Sequence, residues 1–229
     1  QKGEAHRRRM HNQIQELRGN VRVFARVRPF LPDDGADAGA SGGGGAAATP
    51  FDVKADGLSL TLTQPGGSQA SQIGGEARDA QSQLFAFDKA FGPSAGQEVV
   101  FTEVSEFVQS ALDGYNVCIF AYGQTGSGKT FTMTGSDSLP GLTPRAITEL
   151  FDGIANTKTS ETKVTAYFVE LYNDQVVDLL WKLENRTAKG DGPKLDIKVD
   201  SKKMVFVKNV TTTPIIKLTS RPKNARMNL

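Results

Sequence analysis

The stretch Gly123–Thr130, "GQTGSGKT", fits the pattern G-x-x-x-x-G-K-[ST] at every position. Glycines let a backbone curl so that successive N–H groups point into one hollow, which suits an anion. In this pattern the lysine reaches the β- and γ-phosphates of a nucleotide, and the last hydroxyl ligates Mg²⁺. The predicted phosphate site consists of Gly123, Gln124, Thr125, Gly126, Ser127, Gly128, Lys129 and Thr130, with Thr130 as the magnesium ligand.

The elements on either side of this turn must hold it in place. The apolar run 117–122, "VCIFAY", is typical of a strand buried in a parallel sheet. Cys118 lies within it and is predicted to be a buried structural thiol. Residues 97–112 carry Val100, Val104, Val108 and Leu112 at a spacing of four, which predicts a helix with one buried face. Helical sequence, "KTFTMTG", follows the turn.

The rest of the chain alternates between helical and strand patterns, which predicts an α/β fold with a mixed or largely parallel sheet. Further helices are expected at 4–18 and at 143–154, where Thr143 would be the N-cap, and as a continuation over "NDQVVDLL". Strands are expected at 21–27, 58–63 and 163–172, and a hairpin at 194–210. Residues 33–50 and 64–83 are predicted surface loops. Phe85, Phe87 and Phe91 are expected in the core.

The bulk composition excludes several classes of protein. The chain has 229 residues, 38% of them hydrophobic, and a net charge of +2, which selects no partner. One cysteine excludes an internal disulfide and suits a reducing compartment. The basic N-terminus lacks the apolar core of a signal peptide. We expect neither a nucleic-acid nor a membrane partner, and the initial Gln1 indicates a piece of a longer protein.

The sequences around the turn resemble those of kinesins. The similar segments are "ARVRP" (25–29), "FDKAFGP", "QEVVFTEVSEFVQSALDGYN", "YNVCIFAYGQTGSGKTFTM" and "VTAYFVELYNDQVVDLL", in family order. The start, "RRMHNQIQELRGNVRVFARVRP", resembles kinesin-14, in which a coiled coil precedes the motor and joins it through a Gly-Asn pair. Gly19-Asn20 occupies that point, and Met10, Ile14 and Leu17 would form the end of the coiled-coil seam. This resemblance implies a minus-end-directed, cytoplasmic, microtubule-bound motor that forms a homodimer or heterodimer.

The resemblance also implies site residues. Arg26, Arg28 and Pro29 match the family motif that cradles adenine, and Phe131 matches the residue that packs on the base. The implied ligands are ATP or ADP with Mg²⁺. The hairpin matches a lobe that touches the microtubule, so Lys198, Lys202 and Lys203 are candidate contacts with acidic tubulin; an ordinary solvated lysine turn is the alternative.

The likeness ends after "VKNVT". The switch patterns Ser-Ser-Arg-Ser-His and Asp-x-x-Gly-Ser-Glu are absent from the printed sequence. Phosphoryl transfer depends on positioning and electrostatics that the switches supply in relatives, so we expect no catalytic residue here and no useful hydrolysis by this chain alone. The domain prediction is a neck helix at 1–18, the N-terminal part of a motor domain at 19–213 and an unmatched tail at 214–229. The alternatives are a non-hydrolysing pseudo-motor that binds microtubules or dimerises, or another P-loop ATPase.

Overall fold

A computed structural model describes residues 2–31, 50–64, 81–156, 162–187, 190, 192–201 and 203–215. The chain divides into two compact units, Gln1–Gly153 and Ile154–Leu229. The predicted loop at 33–50, except Pro50, and most of the predicted tail lie outside the described residues.

Four helices and five strands begin in the first unit. The helices are α1 (Lys2–Leu17), α2 (Gln97–Leu112), α3 (Lys129–Met133) and α4 (Leu142–Asn156). The strands are β1 (Phe24–Arg26), β2 (Phe51–Val53), β3 (Ser59–Gln64), β4 (Gln81–Ala86) and β5 (Lys89–Phe91). Strands β1 and β5 pair in parallel, with Arg26 opposite Phe91. Strands β2, β3 and β4 form an antiparallel sheet.

The core of the first unit lies where α2 meets β5 and the start of α4. Phe91, Val100, Val104 and Leu142 form one buried cluster. The spacing of the two valines places both on the face of α2 that packs inward. The Phe24 ring meets the Phe91 ring edge to face, with centroids 6.2 Å apart. This cluster joins the paired strands to the helix, and so fixes the place where β1 ends.

Most predicted helices of this unit are confirmed. Helix α2 has the predicted bounds, and α1 covers the predicted 4–18 to within two residues. Phe91 is buried, whereas Phe85 and Phe87 are only half-buried. Thr143 is not an N-cap, because α4 already begins at Leu142. The polar loop predicted at 64–83 is wrong at its end, because β4 begins at Gln81.

The apolar run 117–122 contradicts its prediction. It has no regular secondary structure and belongs to none of the sheets formed by the described strands. Ile119 packs towards the core, while the side chain of Phe120 is 80% exposed and that of Tyr122 is 95% exposed. Cys118 is exposed, so the prediction of a buried thiol is wrong. A central strand is buried only when strands flank it, and the described strands supply no such partner.

The second unit consists of short strands and one short helix. The elements are β6 (Thr165–Ala166), β7 (Val169–Tyr172), β8 (Gln175–Asp178), α5 (Leu179–Glu184), β9 (Asp196–Val199), β10 (Val205–Lys208) and β11 (Thr213–Pro214). They pair antiparallel as β6 with β11, β7 with β8 and β9 with β10. The predicted hairpin at 194–210 is confirmed, and the strand predicted at 163–172 is divided into β6 and β7.

The helical continuation predicted over "NDQVVDLL" is wrong in its first half. Asn173 (φ 47°) and Asp174 (φ 59°) form a two-residue turn, and the chain returns along β7 as strand β8. Positive φ at both central residues is the signature of the hairpin turn whose twist matches that of the strands. Helix α5 starts only after Asp178, whose carboxylate accepts a hydrogen bond from the backbone N–H of Trp181.

The α/β class is confirmed, in the form of several small sheets rather than one large sheet. Within the described residues, no helix is long and apolar enough to cross a membrane.

Candidate nucleotide-binding site

The glycines of the predicted phosphate loop are required by its geometry. Gly126 (φ 80°) and Gly128 (φ 95°) lie in the left-handed region that favours glycine. A Cβ atom on Gly123 would overlap the hydroxyl of Ser127. The backbone N–H of Ser127 donates to the carbonyl of Gln124 at 3.1 Å, which closes the turn. The local sequence therefore builds the hollow that the motif predicts.

Lys129 and Thr130 stand at the start of α3, directly after the hollow. The Lys129 ammonium donates to the carbonyl oxygens of Gly123 and Gln124, each at 2.9 Å, so the charge lies over the loop. The Thr130 side chain is exposed. A loop with glycine at its two left-handed positions, a cation above it and an exposed hydroxyl suit a polyphosphate with Mg²⁺, because magnesium is usually held by one or two protein oxygens together with phosphate oxygens. No group of three or more His, Cys, Asp or Glu side chains in the described ranges is placed to hold a metal ion.

A cleft beside the loop brings together residues predicted from two distant parts of the sequence. One part lies at the end of β1, where Arg26 is the last residue of the strand and Arg28 and Pro29 come just after it. The other part is Phe131, which comes directly after the phosphate loop. These four residues line the cleft together with Ser127 and Gly128. The parallel pairing of β1 with β5, and the packing of β5 on α2, hold the first three residues in position. A flat group bound here would extend from the end of the phosphate loop.

Arg26 is largely committed to other parts of the protein. Its guanidinium donates to Gln97 Oε1 at 2.8 Å, to Thr132 Oγ1 at 3.0 Å and to the carbonyl of Ala95 at 3.2 Å. It also lies 5.6 Å from the centre of the Phe131 ring. Burial lowers the pKa of Arg26 from its ordinary value.

Sequence reasoning missed Gln97. The side chain is only 3% exposed, and its amide nitrogen donates to the carbonyl of Phe131 at 2.6 Å. In the sequence it is simply the polar residue that opens α2. Its one distinguishing signal is a large polar side chain on the helix face that also carries the buried valines.

Comparison with known proteins places this chain in a family. A family model described as "Microtubule binding" matches residues 1–180. The kinesin-like protein klpA of Emericella nidulans is 44% identical over 199 residues, which are 86% of this chain and 24% of klpA. The human kinesin-like protein KIFC1 is 44% identical over 207 residues, 85% of this chain and 29% of that protein. The chain belongs to the kinesin-14 family.

Solved kinesin structures agree with this assignment. The motor of the Kar3Vik1 protein, fused to a synthetic heterodimeric coiled coil, superposes with a TM-score of 0.73 at 38% identity, covering 93% of this chain and 51% of that one. The Kar3-like kinesin motor domain from Ashbya gossypii gives a TM-score of 0.65 at 33% identity, with coverage of 87% and 55%. This kinesin-14 chain thus spans about half of the matched structures and a quarter or so of the matched relatives.

Helix α1 of this kinesin-14 chain, the predicted neck helix, lies along α2 through polar contacts. Arg7 pairs with Asp113 at 2.5 Å, and His11 Nε2 lies 3.1 Å from the hydroxyl of Ser110.

Beyond the C-terminal end of α1, the buried guanidinium of Arg22 stacks 4.3 Å above the ring of Phe107. Arg18 pairs with Glu106, which also accepts from Gln15. Burial raises the pKa of Glu106, but hydrogen bonds from Gln15 and Arg18 outweigh it, and the pKa lies below its ordinary value.

The apolar seam of helix α1 is left outside these contacts. Met10, Ile14 and Leu17 are all exposed. At about 100° per residue, His11 and Gln15 each lie about 100° around the helix from the seam residue that precedes them, Met10 and Ile14. These two contacts with α2 therefore lie on a different side of the helix from the seam.

The predicted microtubule contacts lie in the second unit. Lys198 is exposed on β9, and Lys203 (φ 63°) is exposed in the turn that leads to β10. The turn is held by Asp200, whose carboxylate accepts from the N–H of Met204 at 2.8 Å. Lys202 lies outside the described residues.

Proposed function

We propose that this chain is the nucleotide-binding part of a microtubule motor, and that it binds ATP or ADP with Mg²⁺. One observation carries the proposal: the glycine loop, over which the Lys129 ammonium lies, also lines the cleft that Arg28, Pro29 and Phe131 form. The loop would hold the phosphates, Thr130 would contribute an oxygen to Mg²⁺, and Pro29 and Phe131 would face the two sides of the adenine. The guanidinium of Arg26 lies 5.6 Å from the centre of the Phe131 ring.

The test is binding of ATP and ADP by isothermal titration calorimetry in the presence and absence of Mg²⁺. Lys129→Ala removes the charge that faces the β- and γ-phosphates and should weaken ATP binding at least tenfold, in line with a charge-assisted contact of about 1.5–3 kcal/mol. Lys54→Ala is the matched control, because Lys54 makes only an exposed ion pair with Asp52. Equal affinities of the two variants would refute a phosphate site at the loop.

We also propose that the chain contributes to microtubule binding, as the family assignment supports, and that Lys198 and Lys203 take part. Both are exposed on one hairpin, and the surface of tubulin is acidic. Co-sedimentation with microtubules should weaken in the double variant Lys198→Glu/Lys203→Glu, and more so at low salt, because exposed charges are screened beyond about 10 Å at 0.1 M. Lys54→Glu supplies the control. Unchanged sedimentation at low salt would leave the hairpin an ordinary solvated turn.

Dimerisation through α1 is a further part of this proposal. Met10, Ile14 and Leu17 have coiled-coil spacing, and all three are exposed although α1 rests on α2. Analytical ultracentrifugation should detect association that Ile14→Asp abolishes and Ala5→Asp, an exposed substitution elsewhere on the helix, preserves. A monomer at all accessible concentrations would refute association through this segment alone.

Movement towards the microtubule minus end, and a cytoplasmic site on the microtubule cytoskeleton, are proposed for the protein to which this chain belongs. The residues named above bind and orient a nucleotide, and cleavage is assigned to none of them. The chain should therefore turn over ATP no faster than its Lys129→Ala variant in a microtubule-stimulated assay. Turnover clearly above that variant would overturn this expectation and would identify an unrecognised catalytic group within residues 1–229.

A further inference from the structure

A buried glutamine and a half-buried arginine connect β1, α2 and α3 beside the cleft. Gln97 opens α2 and Arg26 closes β1, and their side chains meet at 2.8 Å. Both also reach the first turn of α3, where Arg26 donates to Thr132 Oγ1 and Gln97 donates to the carbonyl of Phe131. Hydrogen bonds thus connect β1, α2 and α3 next to Phe131, which lines the cleft.

The amide of Gln97 has a defined orientation in this network. Its oxygen accepts from a guanidinium, which has no lone pair to offer, and its nitrogen donates to a carbonyl, which has no proton. Only a side chain with one acceptor and one donor at these positions satisfies both neighbours. A glutamate of the same shape would keep the bond to Arg26 and would set a carboxylate oxygen against the carbonyl of Phe131.

Both side chains of this network contact Phe131. Its carbonyl is held by Gln97, its ring lies 5.6 Å below the Arg26 guanidinium, and 43% of its surface is exposed at the cleft. A half-exposed phenylalanine has several accessible orientations unless its backbone and one ring face are fixed. Here Gln97 holds the backbone, and the Arg26 guanidinium lies over one face of the ring.

We infer that Arg26 and Gln97 are positioning residues that hold Phe131 in place for stacking on the base, and so set the affinity for adenine without affecting the affinity for the triphosphate. This inference rests on the proposed nucleotide site and assigns to Arg26 a role through Phe131 in addition to its place in the lining of the cleft. The triphosphate contacts of Gly123, Gly128 and Lys129 use the loop backbone and an ammonium that neither residue touches.

The experiment compares the affinities of ATP and of inorganic tripolyphosphate, both with Mg²⁺, for the full 229-residue chain. The ratio of the two affinities measures what the nucleoside adds. Stacking of a base on an aromatic side chain is worth about 1–3 kcal/mol, so Gln97→Glu should lower the ratio about tenfold while tripolyphosphate binds as in the unmodified chain. Arg26→Lys, which keeps the charge and loses the planar fork, should also lower it. Gln83→Glu, the same chemical change at an exposed position on β4, should leave the ratio unchanged.

A double-mutant cycle separates positioning from general destabilisation. In a Phe131→Ala background the base has lost its stacking partner, so Gln97→Glu should cause no further fall in the ratio. Equal loss of ATP and tripolyphosphate affinity in Gln97→Glu would show a merely structural tie and overturn the inference. Additive losses in the cycle, or an unchanged ratio, would also overturn it. If the proposed nucleotide site itself is wrong, the unmodified chain will bind neither compound in a Lys129-dependent way, which is a different outcome from any of these.

Discussion

Helix α2 and the apolar stretch 117–122 are neighbours in the chain and lie in opposite environments. Val100 and Val104 of α2 are 4% and 3% exposed, whereas Phe120 is 80% exposed. Both stretches have enough apolar residues for a core position, so hydrophobicity alone does not explain the difference.

The difference lies in where each backbone finds its hydrogen bonds. A helix satisfies its N–H and C=O groups internally and needs only one surface to pack on, which Phe91 and Leu142 provide for α2. A buried strand needs strands on both sides, and in the described part of the chain nothing pairs with 117–122. Ile119 alone in this stretch is among the half-buried side chains packed against the described core cluster.

Replacing a phenylalanine by alanine in the core that α2 packs on, and in 117–122, tests this comparison most strongly. Phe91→Ala removes a ring that is 4% exposed and should lower the free energy of unfolding by about 3–5 kcal/mol. Phe120→Ala should change it by less than about 0.5 kcal/mol, because the ring is already in water. Urea unfolding followed by far-ultraviolet circular dichroism, which reports on the helices, measures both. A comparable loss in Phe120→Ala would mean that the stretch is covered in solution.

A buried carboxylate in the second unit provides the next largest effect. Asp178 is fully buried and accepts from the N–H of Trp181 at 3.0 Å and from that of Thr211 at 2.6 Å. Asp178→Asn sets an NH₂ group against one of these donors and should cost about 2 kcal/mol. Asp174→Asn, at an exposed turn position that Asn tolerates, is the control. Fluorescence of Trp181, the single tryptophan, reports on the transition.

The same residue makes stability depend on pH. Burial raises the pKa of Asp178, but hydrogen bonds from Trp181 and Thr211 outweigh it, so the pKa lies below its ordinary value. A lowered folded-state pKa means that this stabilisation is complete above the unfolded-state value and is lost as the pH falls through the folded-state value. The free energy difference between the parent and Asp178→Asn should therefore shrink on acidification from neutral pH. A constant difference down to about pH 2 would contradict this linkage.

The sequence predicted those features whose causes are local. Helix α2 follows from periodicity and has the predicted bounds, and the positive φ angles of Gly126 and Gly128 fit the glycine motif. The β7–β8 turn was also accessible, since Asn173-Asp174 is turn chemistry that the helical interpretation overlooked. Gln97 was not accessible, because its partners lie 71 residues before it and 34 residues after it. The environment of 117–122 was missed for the same reason: strand burial depends on distant partners.

Helix α1 extends the comparison from apolar to charged contacts. Arg7 and Asp113 are 2.5 Å apart, and the side chain of Asp113 is 1% exposed while that of Arg7 is 43% exposed. A double-mutant cycle of Arg7→Ala and Asp113→Ala should give a coupling energy of about 1 kcal/mol, at the upper end for exposed pairs because one partner is buried. The exposed pair of Lys54 and Asp52 should give a coupling close to zero. Equal couplings would mean that α1 is not held on α2 in solution.

The reactivity of Cys118 gives the test with the smallest expected effect, because the folded chain should hardly protect its thiol from a reagent. Its thiol is exposed within 117–122, so a disulfide reagent should label the native chain within about tenfold of the rate in urea, since no opening of the structure is needed first. Moving the single cysteine to the core, as Cys118→Ala with Val104→Cys, should slow labelling of the native chain by orders of magnitude, because that position is 3% exposed and reacts only through opening. If Cys118 were shielded as strongly as the cysteine at 104, partners would cover the stretch in solution, and the contrast between the two regions would disappear.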